Sequence, residues 1–504
     1  MQGGNKLIAK NTLIIYVKLI INAILGLFTS RFIFKGLGAE DFGLYSVVGS
    51  IVVMMAFINT VMISTTYRFI AYEMGKGDTP AINRVFNISL TIHICLAFII
   101  IFITETLGVF YVNNYLKIDP SKLSDALFVL RFSVIATVFN IISIPFQGMI
   151  TALEKFSVRS AIEVIDSVFK FLIAFALIYY VGNRLRFYSL LIALIALVGP
   201  LLYFGYCKYY HKSLIKWNFQ KDKFKYKEMI SFSGWILFGA AASVGQKNGS
   251  ALIINHFFGT FLNAAYGIAS TVNSVISAFS GSLAQSAIPQ ITKSFSKGNR
   301  KRSEKLTAYI SKYTALIMLI ISVPILLETE FLITLWLGEV PEHTIIFCKL
   351  IIINALIQAM GAGLPAFVQA TGKIKWFQII LSTTSLASLP IAWYLFKIGL
   401  PPYSIIITFI FTAIINLVVR QVLLNKIVAF DSFFFIKTSY FRVLLVIISV
   451  LPLFYLINFF EEGITRFILM FMVSIAYLIA SIYLIGLDKD ERNKIKSVVL
   501  NFKI

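Results

Sequence analysis

The run Ile464-Thr-Arg-Phe-Ile-Leu-Met-Phe-Met-Val-Ser-Ile-Ala-Tyr-Leu-Ile-Ala-Ser-Ile-Tyr-Leu-Ile485 is apolar all round, with one charge, Arg466, near its start. At ~1.5 Å per residue, a helix of this length crosses the ~30 Å hydrocarbon core of a bilayer. Similar runs recur back to Asn11, with charge confined to the short stretches between them. Hydrophobic residues make up 58% of the 504 and charged ones 13%, and the mean hydropathy is +0.85. In lipid every backbone polar group needs an internal partner, which leaves helices or closed barrels. Runs this long are not barrel strands. The fold class is therefore an all-α polytopic membrane protein.

About fourteen spans are expected: Asn11–Phe34, Asp41–Thr66, Phe86–Tyr111, Leu123–Ile150, Ile162–Val181, Leu185–Cys207, Met229–Phe257, Leu262–Ile288, Leu306–Leu327, Thr344–Ala370, Ile374–Phe396, Pro402–Asn425, Phe441–Phe459 and Ile464–Ile485. The first is too long for a signal-peptide core and lacks a small-residue cleavage site, so it reads as an uncleaved helix. Cys95, Cys207 and Cys348 offer neither a disulfide framework nor metal spacing, and no metal site is expected.

Net charge is +22. Lysines 208–227 follow span six, and Lys293, Lys297, Arg300, Lys301, Arg302 and Lys305 follow span eight. The loop after span nine instead carries Glu328, Glu330, Glu339 and Glu342. This asymmetry places the N- and C-termini and the basic loops in the cytoplasm, against anionic lipid. Arg184 and Arg186 are the exceptions. No separate basic domain exists to bind nucleic acid.

The halves repeat. Gly38 and Tyr45 match Gly259 and Tyr266 at a displacement of 221 (259 − 38, 266 − 45), and Lys76-Gly77 matches Lys297-Gly298. Ala152-Leu-Glu-Lys155 matches Ala370-Thr-Gly-Lys373 at 218 (370 − 152). Six spans separate equivalent points, so both halves enter the membrane from the same side, as in transporters built from parallel repeats. The expected organisation is a six-helix lobe over residues 1–210, a second over 211–428, an accessory pair over 429–487 and a cytoplasmic tail, 488–504.

Ionisable residues within spans are functional candidates by default. Lys18, Asn22, Gly26 and Thr29 share one helix face, and Gly239, Ser243, Lys247 and Ser250 hold the equivalent positions in span seven. The two stripes suggest cavity faces on which stepped cations, Lys18 and Lys247, meet an anionic cargo. Arg31 and Arg68 sit near helix ends, where snorkelling competes with function. Glu163, Asp166 and Lys170 share a face of span five. Asp166 and Lys170 are an i, i+4 pair, either static or exchanging H⁺ or Na⁺ during transport, with Lys170 adding a cation when released. Glu105, and Asp125 with Arg131, are weaker candidates for that work. Pro145, Pro200, Pro365 and Pro390 are expected to bend their spans, and Gly361-Ala-Gly363-Leu-Pro365 is the expected flexible point. His93 and His256 stand without an expected partner. No nucleotide-binding loop or catalytic constellation is present, so no enzyme activity and no cofactor is expected.

Ser30-Arg31, followed by Leu37-Gly38-Ala-Glu-Asp-Phe42-Gly43-Leu-Tyr45, with Arg68, Lys76-Gly77 and the two Ala-x-x-Lys motifs, resembles the polysaccharide transport (Wzx-type) flippases. These belong to the multidrug/oligosaccharidyl-lipid/polysaccharide exporter superfamily. The resemblance implies translocation of a polyprenyl-diphosphate-linked oligosaccharide, an O-antigen or capsule repeat unit, across a bacterial inner membrane. It also implies an H⁺ or Na⁺ gradient as driving force, and polysaccharide polymerase and chain-length proteins as partners. Lys18 stands where the resemblance leads one to expect Arg; charge is kept and bidentate phosphate binding is not. Two other readings are a cation-coupled multidrug antiporter, which favours a negative cavity, and a membrane polymerase or glycosyltransferase, which needs a large outer catalytic loop.

Overall fold

A computed structural model describes residues 2–114, 119–337 and 340–493. Glu339, the tail beyond 493 and the side chains of Ser30, Phe34, Phe42 and Asn255 lie outside the described set. The described residues form helices and no strand. We number the main helices α1 (Gln2–Lys76), α2 (Thr79–Ile103), α3 (Leu123–Ala152), α4 (Phe156–Tyr179), α5 (Arg184–Ile195), α6 (Val198–Tyr210), α7 (Lys223–Ser296) and α8 (Arg300–Leu327). They continue as α9 (Thr344–Ala359), α10 (Leu364–Thr371), α11 (Lys375–Leu386), α12 (Ser388–Lys397), α13 (Ser404–Val428), α14 (Phe441–Leu456) and α15 (Ile464–Ser481).

Among the described residues, ten helical stretches are long and apolar enough to span a bilayer, or eleven if α9 and α10, bent by 42°, form one span. The sequence counts about fourteen. Helix α4 falls short because Glu163, Asp166 and Lys170 lie inside any span-length window of it. The stretch Leu262–Ile288 is diluted by Asn263, Asn273 and its serines, and Asp41–Thr66 falls largely on side chains outside the described set. The α9–α10 bend occurs at Met360–Gly363, and Pro365 sits in the first turn of α10, where its missing N–H has no intrahelical partner to lose. Breaks also separate α5 from α6 and α11 from α12, close to Pro200 and Pro390. Helix α3 stays continuous through Pro145.

Both of the longest helices are interrupted at one residue. Gly38 in α1 has φ 77°, ψ 172°, and Gly259 in α7 has φ 77°, ψ −172°. Only glycine reaches this region at low cost. Gly77 and Gly298, with φ of 78° and 75°, end α1 and follow α7 in the left-handed conformation. Glu154 (φ 63°) and Gly372 (φ 77°) are a third matched pair, at 218 (372 − 154). Asp78 caps α2 by accepting from Ala81 N, and Asn299 caps α8 by accepting from Arg302 N, again displaced by 221 (299 − 78). The repeat is therefore written in backbone geometry and caps as well as in sequence.

The chain divides into two compact units: residues 1–237 with 292–298, and 238–291 with 299–504. In the first, α1 packs along α3 and α4, and its core includes Val129, Leu130, Ile141, Ala174 and Leu177. Asn83 and Asn87 of α2 donate to the carbonyls of Ser213, Leu214 and Lys216, which ties the basic loop after α6 to the unit. Arg184 donates to the carbonyls of Tyr180, Gly36 and Ile178, and Arg186 pairs with Asp125 at 2.6 Å. Their bonding explains how two arginines depart from the loop-charge pattern. In the second unit, α8 packs on α9 and α15, and Leu316, Leu319, Ile352, Val446 and Met470 form one core cluster.

Candidate functional site

Helix α4 places Arg159 one turn before Glu163, and the facing stretch of α1 supplies Lys18. Lys18 Nζ donates to Glu163 Oε2 at 2.6 Å. Arg159 Nε donates to Glu163 Oε1 at 2.8 Å, and its Nη1 to Thr151 Oγ1 at 3.1 Å. Each carboxylate oxygen thus holds one cation, and the three side chains carry a net +1. The arginine and glutamate are an i, i+4 pair, so helix geometry alone brings them together. The lysine arrives from 145 residues away, through the packing of α1 on α4. Buried Tyr67 and Tyr203 lie within electrostatic reach of Arg159. One turn along α1 from Lys18, the Asn22 Oδ1 is buried with no hydrogen-bond partner.

The remaining expected residues are dispersed. Asp166 and Lys170 pair at 2.7 Å, part-exposed on α4. Glu105 is bound by Arg131 at 3.2 Å on an exposed face. Arg31 is exposed. Arg68 is buried, its guanidinium over the rings of Phe69 (4.4 Å), Phe232 (5.0 Å) and Tyr72 (5.3 Å). Cation–π contact with three rings gives it a packing role at the end of α1. In the second unit Ser243 and Lys247 are exposed on α7; Ser243 Oγ donates to Gly239 O, and Tyr266 Oη donates to the Lys247 carbonyl. Lys247 enters no ion pair among the described residues. His93 has a partner the sequence does not reveal: its Nδ1 lies 2.6 Å from Ser89 O.

The structure adds partners that the sequence does not give: Lys18 is held by the Glu163 carboxylate, which also binds Arg159, while Asp166 and Lys170 form the expected pair. Sequence reasoning passes over Arg159, whose signal was its i, i+4 spacing to Glu163. It also passes over Arg420, Lys312 and Glu491, each inside or beside an apolar run.

A family model described as "Polysaccharide biosynthesis protein" matches residues 8–295, more than half of the chain. The chain belongs to this family. Its fold is that of solved transporters of the multidrug-export type. A MATE protein in its bent conformation aligns with a TM-score of 0.74 at 14% identity, over 84% of this chain and 96% of that one. An outward-facing multidrug resistance MATE family transporter of the MOP superfamily gives 0.70 at 15%, over 86% and 97%. A MOP superfamily transporter from Pyrococcus furiosus, described as having a binding pocket of reversed polarity, gives 0.64 at 15%, over 83% and 95%. At such identities the likeness is one of fold. No curated protein matches the chain in sequence. This family member is a multi-pass membrane protein with the MOP-superfamily fold, and its Lys18–Glu163–Arg159 cluster lies within the matched residues.

Proposed function

We propose that the protein flips a polyprenyl-diphosphate-linked oligosaccharide from the inner to the outer leaflet of a bacterial cytoplasmic membrane, by alternating access and driven by an H⁺ or Na⁺ gradient. The observation that carries this reading is two cations sharing one carboxylate inside the apolar part of a polysaccharide-biosynthesis protein. A diphosphate presents strong anionic acceptors. Entering the cluster, it competes with Glu163 for Lys18 and Arg159. Protonation of Glu163, or its capture of Na⁺, removes that competition and releases both cations to the cargo. Return of Glu163 to its ionised state takes them back and frees the phosphate. The gradient is coupled to cargo through a single carboxylate, and no cofactor is required. Asp166 with Lys170 and Glu105 with Arg131 are standing pairs that support the helices. The termini face the cytoplasm, and polymerase and chain-length proteins act on the flipped product.

The fold neighbours named as multidrug transporters raise the antiporter alternative. Extruding organic cations calls for an unpaired carboxylate. Glu105, Asp125, Glu163, Asp166 and Glu328 each have a Lys or Arg partner, which favours the anionic cargo.

The test is complementation of a strain lacking the protein. Lys18→Gln with Arg159→Gln is expected to abolish surface polysaccharide at unchanged membrane abundance, with lipid-linked repeat units accumulating inside. Normal surface polysaccharide in that double variant would overturn the proposal.

A further inference from the structure

Away from this cluster, three unpartnered polar groups of the second unit line one small pocket of about 150 Å³. Asn354 and Gln358 come from α9, Asn416 and Arg420 from α13, with Ser243 and Ser385 beside them. Arg420 Nε, Asn354 Oδ1 and Asn416 Oδ1 are buried without a hydrogen-bond partner. Asn354 is 5% exposed and Asn416 7%. The site is held in shape from behind: Asn416 Nδ2 donates to Ser385 Oγ at 3.1 Å, and Gln246 donates to Ser385 O and Ser388 Oγ. Gly361, at the α9–α10 bend, gives the guanidinium room, since a Cβ there would lie 2.7 Å from Arg420 Nη1. Among the described residues Arg420 enters no ion pair.

Buried polar groups are normally satisfied, and buried charges normally paired. The pocket has room for several waters, which serve the amides. Water does not neutralise a guanidinium. A complementary guest offers an anionic oxygen to Arg420 and hydroxyl donors to the two amide oxygens. We propose that this pocket binds an acidic sugar of the hexuronate class, its carboxylate on Arg420 and its hydroxyls on Asn354 and Asn416. The inference rests on the proposed function for the source of that sugar, naming the cargo as a uronate-containing glycan.

The full chain, purified in detergent, is heated with sodium glucuronate, glucose or sodium phosphate at matched ionic strength. Glucuronate is expected to raise the unfolding temperature saturably, and glucose and phosphate to leave it unchanged. Arg420→Gln is expected to bind glucuronate at least about tenfold more weakly, and Arg420→Lys to retain part of the affinity. If Arg420→Gln is not recovered folded, Asn354→Leu takes its place and is expected to weaken glucuronate likewise. No saturable shift in the unaltered protein, an equal shift with glucose or phosphate, or unchanged affinity in the variant tested overturns the site. Glucuronate binding that persists in a chain shown not to flip lipid-linked glycan leaves the site standing and removes the flippase reading.

Discussion

Removing the Glu491 carboxylate is expected to strand a buried lysine. Lys312 lies in α8 with a side chain 1% exposed, and Glu491, in the short helical stretch that follows α15, is 6% exposed. Lys312 Nζ donates to both Glu491 oxygens at 2.6 Å, and Tyr313 Oη donates to one of them at 2.5 Å. Asp488 N donates to the other, and Asp488 Oδ1 accepts from Glu491 N. Three hydrogen bonds therefore fix the segment after α15 to α8, and two more hold that segment's own turn in shape. Breaking a buried pair from one side costs about 3–5 kcal/mol, whereas replacing both partners by apolar residues of similar volume is often neutral. Glu491→Ala is thus expected to lose about 3–5 kcal/mol, and Lys312→Met with Glu491→Leu much less. The coupling is read from a double-mutant cycle on chemical unfolding of the purified chain, with limited proteolysis of the C-terminal segment as a local probe. If the double variant is as unstable as Glu491→Ala, or if Glu491→Ala unfolds like the unaltered protein, the pair is not the anchor described.

Gly38→Ala and Gly259→Ala should each cost about 1–3 kcal/mol in unfolding measurements. Among the described residues no atom beyond the local backbone lies within 4 Å of a Cβ at either position, so the penalty expected is that of the backbone and should be alike in the two halves. A Cβ at Gly363 would lie 2.5 Å from the Thr307 carbonyl oxygen. Gly363→Ala should therefore force α8 and α10 apart and cost about 1–3 kcal/mol by the same assay. Arg466 holds Glu328, itself 1% exposed, through two hydrogen bonds of 3.0 Å. Arg466→Ala should cost about 3–5 kcal/mol, and Glu328→Gln in that background should restore part of it.

The membrane fold was legible because lipid demands one thing of a segment, enough consecutive apolar residues, and hydropathy reports it directly. The repeat was legible at Gly38, Gly259, Gly77 and Gly298 because each fills a backbone conformation that other residues avoid. Asp166–Lys170 was legible because helix geometry alone makes an i, i+4 pair. The Lys18–Glu163 bond was not. Its partners sit on different helices, and a single sequence fixes which face of a helix is polar but not which face it meets. The same limit hid Lys312 from Glu491, 179 residues away. Arg420 escaped notice for another reason. One charge in a long apolar run reads as tolerated, and only packing reveals that no carboxylate among the described residues meets it.

The most direct test of the central idea, that Lys18 and Arg159 hand a diphosphate across the membrane under the control of Glu163, is leaflet exchange in vesicles. The purified chain is reconstituted with a fluorescent polyprenyl-diphosphate sugar and a pH or Na⁺ gradient, and the outer-leaflet fraction is read by a membrane-impermeant quencher. Gradient-driven exchange is expected from the unaltered protein, none from Lys18→Gln with Arg159→Gln, and exchange that no longer responds to the gradient from Glu163→Gln. Equal exchange by the unaltered protein and the double variant, or gradient dependence that survives Glu163→Gln, would contradict that idea.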